Sequence, residues 1–232
     1  MTTSVPSPAG LFISFEGGDG CGKTTQARLL GAWLAGELGV DLCLTREPGG
    51  TALGQEIRNL VLHGQDMGPR AEALLYAADR AHHVATVVRP ALERGELVVP
   101  EGFMDASLAY QGMVRALTAQ SVRDLSLWAT EGLVPHLTVL IDIDPKVGAS
   151  RFTDAPDRLE RAGDEFHRRT RQAYLDMAAE SPQRWVTVDG HGTIEQISEL
   201  VRAAVVEALV ARLGRTELAH LVTADSTETD RA

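Results

Sequence analysis

The chain has 232 residues, 44% of them hydrophobic and 23% charged, enough for one sizeable core or two small ones. Its 22 glycines and 10 prolines are ordinary amounts, which excludes collagen-like and low-complexity classes. With 32 acidic against 22 basic residues the formal charge is −10, so a nucleic-acid polymer is not an expected partner, while a local cluster of donors can still hold a small phosphate ligand. Taken in chain order, residues 11–15 are a short apolar run ahead of glycines and read as a buried strand. Residues 25–38 repeat Leu29, Leu30, Trp33, Leu34 and Leu38 at helical spacing, and 41–45 reads as a second strand. A helix over 51–62 would put Leu53, Ile57, Leu60 and Val61 on one face. A long helix over 69–94 would turn Leu74, Leu75, Ala78, Ala81, Val84 and Val88 inward, with Pro90 kinking or splitting it. Residues 97–99 read as a third strand, 108–115 and 122–130 as helices, and 137–143 as the most strand-like segment of the chain. Asp144-Pro145 reads as an N-cap followed by a proline at the first helical position. A helix over 161–179, a strand over 185–188 and a helix over 193–213 complete the series, with a short acidic tail from residue 223.

Two cysteines, Cys21 and Cys43, cannot build a disulfide framework and fit a reducing compartment. No apolar run approaches the roughly 20 residues that span a bilayer. Residues 1–9 carry neither a basic start nor a long apolar stretch, so no secretory signal is expected and the location expected is cytoplasmic. Strands alternate with helices throughout, which predicts an α/β fold with a mostly parallel central sheet flanked by helices. Ligands of such sheets lie beyond the carboxyl ends of the strands. The expected organisation is one domain over 1–222 with a lid at about 151–161, then a flexible tail over 223–232.

Gly17-Gly18-Asp19-Gly20-Cys21-Gly22-Lys23-Thr24 matches G-x-x-x-x-G-K-[ST], with Thr25 continuing into the helix. Glycines let backbone N–H groups point inward as a nest for phosphate oxygens, and the helix N-terminus adds partial positive charge. Lys23 is suited to the β- and γ-phosphates of ATP, and the Thr24 hydroxyl to Mg²⁺. Only Lys23 and Lys146 are lysines in an otherwise arginine-based set of cations, so a lysine at this spot stands out. No N-K-x-D guanine-reading segment is evident, which disfavours a GTPase. The pair His82-His83 has no metal spacing and reads as structural or surface.

Phe15-Glu16-Gly17, the phosphate loop, Thr45-Arg46-Glu47-Pro48-Gly49-Gly50-Thr51, Leu74-Leu75-Tyr76-Ala77-Ala78-Asp79-Arg80 and Asp105-Ala106-Ser107-Leu108-Ala109-Tyr110-Gln111-Gly112 occur in that order. Together they resemble bacterial thymidylate kinases from about residue 11 to about residue 205. The resemblance implies the P-loop NTPase fold, transfer of the ATP γ-phosphoryl to dTMP with Mg²⁺, and a homodimer, for which helix 69–94 is a candidate contact. It implies that Arg46 holds the acceptor phosphate, a role a planar fork suits. Tyr76 matches an aromatic that stacks on the base and Arg80 an arginine that donates to the pyrimidine. Ser107 and Gln111 match polar readers of the base edge, and Asp19 a carboxylate near the acceptor sugar. Asp157-Arg158-Leu159-Glu160 matches the D-R-x-E lid motif. Since the loop has no arginine, the lid must supply the one that stabilises charge, Arg158 first and Arg151 second.

The match breaks after the third strand, where Glu101-Gly102-Phe103 stands in place of D-R-Y. Glu101 keeps a carboxylate that can serve Mg²⁺ or orient the acceptor. The arginine is gone, and a charge-assisted contact of that kind is worth roughly 1.5–3 kcal/mol. Another arginine, such as Arg115 or a lid residue, can fill the gap; the acceptor can be a different or modified nucleoside monophosphate or another phosphorylated molecule; or the chain can be a non-catalytic ATP-binding homologue.

Overall fold

In a computed structural model, which describes residues 10–113, 117–151 and 157–222, five parallel strands form one sheet in the order β2-β3-β1-β4-β5. The strands are β1 (Leu11–Glu16), β2 (Leu42–Arg46), β3 (Leu97–Glu101), β4 (Leu137–Asp142) and β5 (Trp185–Asp189). Every residue of the central β1 is buried, as a parallel strand covered on both faces requires. Alternate side chains divide two cores. Leu11, Ile13 and Phe15 pack with Leu30 and Leu34 of α1 (Lys23–Leu38) and with Val201, Val205 and Leu209 of α9 (Ile194–Leu213). Phe12 points the other way, its ring edge-to-face with Phe103 at 5.0 Å. That second face is covered by α2 (Ala52–His63), α3 (Pro69–His83), α4 (Arg89–Glu93), α5 (Met104–Ser107), α6 (Ala119–Ala129) and α8 (Asp164–Glu180). The short α7 (Pro145–Ala149) lies against α8, and α10 (Ala219–Val222) against α9. Among the described residues no helix is long and apolar enough to cross a membrane.

The register sets up the site. Phe15 pairs with Glu101 and Glu101 with Arg46, so β1, β3 and β2 end level with one another. The adjacent β1 and β3 send their connections to opposite faces of the sheet, which opens a crevice at their carboxyl ends. Residues 17–23, Arg46 and Glu101 therefore share one rim.

The long helix expected over 69–94 is three segments. α3 ends at His83, Val84–Val88 forms a wide i→i+5 turn, and α4 carries Pro90 in its first turn. Proline lacks an N–H, and the widened turn lets the chain pass it. The inward face also differs from the expected one. Leu74 is 59% exposed and Ala78 is exposed, while Glu72, Tyr76, Asp79, Arg80 and His83 are buried. On α2, Ile57 and Val61 are buried as expected, but Leu53 and Leu60 face outward. The helix expected over 108–115 is α5 followed by a second wide turn, Leu108–Met113. Arg115, residues 152–156 of the lid and the tail from 223 lie outside the described residues.

Candidate active site

The phosphate loop joins β1 to α1. Gly17, Gly20 and Gly22 have positive φ (144°, 72° and 94°). Gly20 also admits no side chain, because a Cβ there would lie 2.2 Å from the Gly148 carbonyl oxygen of α7. Around Gly18 the space is open. No side chain caps the start of α1, so its first amides remain free for a ligand. Thr25 lies in that first turn, and Cys21 is buried against Gly17. Lys23 Nζ donates to the Gly17 and Gly18 carbonyls at 3.2 and 3.3 Å and lies 3.8 Å from Asp19 Oδ1. Burial works against the Lys23 charge, Cys21, Asp19, Glu16 and Glu101 favour it, and the balance raises its pKa.

Thr24 Oγ1 donates to Glu101 Oε2 at 2.7 Å. A hydroxyl and a carboxylate beside a phosphate cradle are hard oxygen donors and fit Mg²⁺, which takes one or two carboxylates and leaves its other positions to phosphates and water. Among the described residues no group of three or more His, Cys, Asp or Glu forms a fuller metal cage.

Beside the loop lies a cleft of about 290 Å³. Lys23, Thr24, Glu101 and Gly102 border it on the loop side, Arg46 and Arg58 on the second, and Tyr76, Arg80, Ser107 and Gln111 at the far end. Arg46 is exposed to the cleft and makes no hydrogen bond or ion pair among the described residues. Tyr76 is 8% exposed, and burial drives its hydroxyl pKa well up, so it presents a neutral aromatic face. Asp19 Oδ2 accepts from the Tyr110 hydroxyl at 3.0 Å. Arg80 is held by four of its five N–H donors: Nε to Glu47 Oε2 (2.8 Å), Nη1 to Ser126 Oγ (3.1 Å), and Nη2 to Phe103 O (3.2 Å) and Ser107 Oγ (3.0 Å). Gln111 Nε2 donates to Glu72 Oε1 at 2.9 Å. Gly102 has φ +71° and contributes no side chain to the cleft.

The family model for thymidylate kinase matches residues 15–201. The chain belongs to the thymidylate kinase family. It is 58% identical over 204 residues to the thymidylate kinase of Leifsonia xyli subsp. xyli, covering 86% of this chain and 96% of that protein. Identity is 54% over 199 residues to the thymidylate kinase of Cutibacterium acnes (84% and 96% covered). It is 50% over 188 residues to that of a Synechococcus species (81% and 90% covered).

Membership of the thymidylate kinase family makes the lid arginines of interest, and their placements differ from the expected order. Arg158 is turned away from the loop: Nη2 donates to buried Glu72 at 2.5 Å and Nε to Val61 O at 2.9 Å. Arg151 is the lid arginine at the loop, with Nη1 donating to Gly20 O and Cys21 O (3.2 and 3.4 Å) and Nη2 to Gly190 O (3.1 Å).

Tyr110, Glu47, Arg58 and Glu16 are among the cleft residues not singled out from the sequence. Tyr110 lies three residues after Ser107, a spacing that could have revealed it. Glu47 sits inside a recognised motif, but nothing local says that its carboxylate turns to Arg80. Arg58 follows Ile57 on α2 and its Nη1 donates to Pro48 O at 3.0 Å, with no sequence signal. Glu16 closes the floor, its Oε1 accepting from Phe103 N–H (2.7 Å) and its Oε2 bonded to the Tyr174 hydroxyl (3.2 Å). Burial, then the nearby Asp105 charge, push its carboxyl up to about 8.

Proposed function

We propose that the chain transfers the γ-phosphoryl group of ATP to dTMP, giving dTDP and ADP, by in-line displacement without a covalent enzyme intermediate. An oxygen of the acceptor phosphate forms the new bond to the γ-phosphorus as the bond to the β–γ bridging oxygen breaks. That oxygen is already anionic, so no strong general base is needed. The observation that carries this reading is the rim itself: phosphate loop, Glu101 and the unpaired Arg46 stand level at the ends of β1, β3 and β2, around one cleft.

In this reading the amides of 17–24 and Lys23 take the ATP phosphates, and Thr24 and Glu101 hold Mg²⁺. The ion, when bound, neutralises phosphate charge. Arg46 takes the acceptor phosphate, Tyr76 stacks on the base, and Arg80, Ser107 and Gln111 face its edge. Asp19 approaches the sugar. Arg151 supplies cationic charge at the loop, and Arg158 is tied to α2 and α3 through Val61 O and Glu72. Positioning and preorganised charge then lower the barrier. The absence of a side chain at Gly102 favours a second reading, in which the acceptor is a different or modified nucleoside monophosphate.

A homodimer accompanies the proposal. Leu53 and Leu60 of α2, Leu74 of α3 and Trp128 of α6 are exposed, Trp128 by 79%, and α3 packs against both other helices. A single domain and a cytoplasmic location, which the free thiols of Cys21 and Cys43 suit, belong to the same reading.

The test is an ADP-coupled assay with dTMP, dUMP, modified pyrimidine monophosphates and other nucleoside monophosphates. dTMP is expected to give the highest kcat/KM. Lys23→Ala is expected to lose about 10²–10³-fold in kcat, the scale of one removed electrostatic stabiliser, with unchanged circular dichroism. Preference for another acceptor would move the assignment to the second reading; no product with any acceptor would end both.

A further inference from the structure

His83 has no part in phosphoryl transfer, yet it is fully buried directly behind the acceptor cleft. Its Nδ1 donates to Glu47 Oε1 at 2.7 Å and its Nε2 pairs with Thr45 Oγ1 at 2.7 Å. An ionised carboxylate only accepts, so the Nδ1 atom carries the proton. The second oxygen of the same carboxylate receives Arg80 Nε. His83, Glu47 and Arg80 thus form one line of side chains, each 0–2% exposed, ending in the cleft. The neighbouring glycine leaves the space this needs, because a Cβ on Gly50 would lie 2.6 Å from His83 Nε2.

We infer that His83 is a positioning residue for acceptor recognition: through Nδ1 it fixes Glu47, and Glu47 fixes the guanidinium of Arg80 that faces the acceptor base. The inference rests on the proposed acceptor site and deepens it. Four donors of Arg80 are taken by protein, so its orientation is set by those partners, and Glu47 is the only one of them that carries charge. A carboxylate with one oxygen released can rotate, and the guanidinium bonded to it follows. Among the described residues the side-chain hydrogen bonds of His83 and Glu47 go to Thr45, Arg80 and each other and not to residues 17–24, so the ATP side is not expected to respond.

Two replacements separate position from bulk. Asparagine places its amide N–H near the Nδ1 position and keeps the Glu47 bond, whereas glutamine reaches the Nε2 position and keeps the Thr45 bond. We expect His83→Gln to raise the KM for dTMP about tenfold, a loss of ~1.4 kcal/mol, with the KM for ATP unchanged. His83→Asn is expected to recover most of that loss, whatever the melting temperatures of the two proteins. Equal effects of the two variants on the KM for dTMP, or a parallel rise in the KM for ATP, would overturn the inference while wild-type turnover of dTMP stands. Failure of the wild-type protein to use dTMP would instead remove the proposed function, and the inference with it.

Discussion

Thr24 Oγ1 donates to Glu101 Oε2 across 2.7 Å, joining the first turn of α1 to the end of β3. This bond spans the mouth of the phosphate loop, and both oxygens are of the kind a hard divalent cation takes. Glu101→Gln keeps the shape and removes the charge. We expect it to raise the Mg²⁺ concentration for half-maximal rate about 10–100-fold, the usual scale for a ligand-shell change. A Mg²⁺ titration of the initial rate at saturating nucleotide measures this, and an unchanged midpoint would take Glu101 away from the metal.

Arg158 and Glu72 make a structural prediction distinct from the catalytic one. Glu72 is fully buried and pairs with Arg158, whose Nη2 lies 2.5 Å from its Oε2. Removing a guanidinium from a buried carboxylate costs roughly 3–5 kcal/mol. For a chain of this size that is a fall in Tm of about 6–20 °C. Arg158→Ala is expected to show it in a thermal melt, and the Glu72→Gln/Arg158→Ala double variant to recover most of it. Loss of turnover at unchanged Tm would instead place Arg158 on the phosphates.

The phosphate loop and the five strands were legible in the sequence because each is contiguous: glycines permit positive φ in the loop, the buried β1, β3 and β4 are short apolar runs, and the half-exposed β2 and β5 still open on apolar residues. The face of α3 was not legible. Leu74 and Ala78 obey helical spacing for a core, yet Glu72, Tyr76, Asp79, Arg80 and His83 turn inward. Apolar periodicity assumes that the interior is oil, whereas here the helix looks into a polar cleft: Ala73 and Ala77 are buried beside the polar side chains, and Leu74 and Ala78 are left outside. Asp79 illustrates the cost: one oxygen accepts from Gly49 N–H at 3.2 Å, the other has no hydrogen-bond partner among the described residues, and burial with the Glu47 charge pushes its carboxyl up to about 6. Nor could spacing rank Arg151 against Arg158, since both flank the same short segment and only the fold decides which meets Gly20 O and which meets Glu72.

Gly102 makes a prediction in which backbone and charge oppose each other. Its φ of +71° lies in the left-handed region, and a Cβ would stand 3.1 Å from the Glu47 carbonyl oxygen. An L-residue there costs about 1–2 kcal/mol, a fall in Tm of roughly 2–8 °C. Gly102→Ala and Gly102→Arg are both expected to melt lower by that amount. Only the arginine variant brings a guanidinium to the cleft, and it is expected to raise kcat/KM for dTMP about tenfold, the low end of a charge-assisted contact. Equal kinetics of the two variants would mean that Arg46 and Arg58 already meet the acceptor's charge.

Glu16 gives stability a pH dependence of defined sign. Its carboxyl, ordinarily near 4.5, lies at about 8 in the folded protein, chiefly because it is buried. Oε1 accepts from Phe103 N–H and Oε2 from the Tyr174 hydroxyl, two bonds that lower the value but do not outweigh the burial. Between the two values the native state holds a proton that the unfolded chain has released, so stability falls as pH rises from about 4.5 to about 8, and this contribution is flat outside that interval. Glu16→Gln cannot ionise, and its amide offers an oxygen to Phe103 N–H and an N–H to Tyr174 Oη. We expect urea unfolding of the wild-type protein between pH 5 and 9 to show declining stability, and the variant to lose most of that decline. An identical slope in both proteins would assign the dependence to other groups and return Glu16 to an ordinary ionised carboxylate.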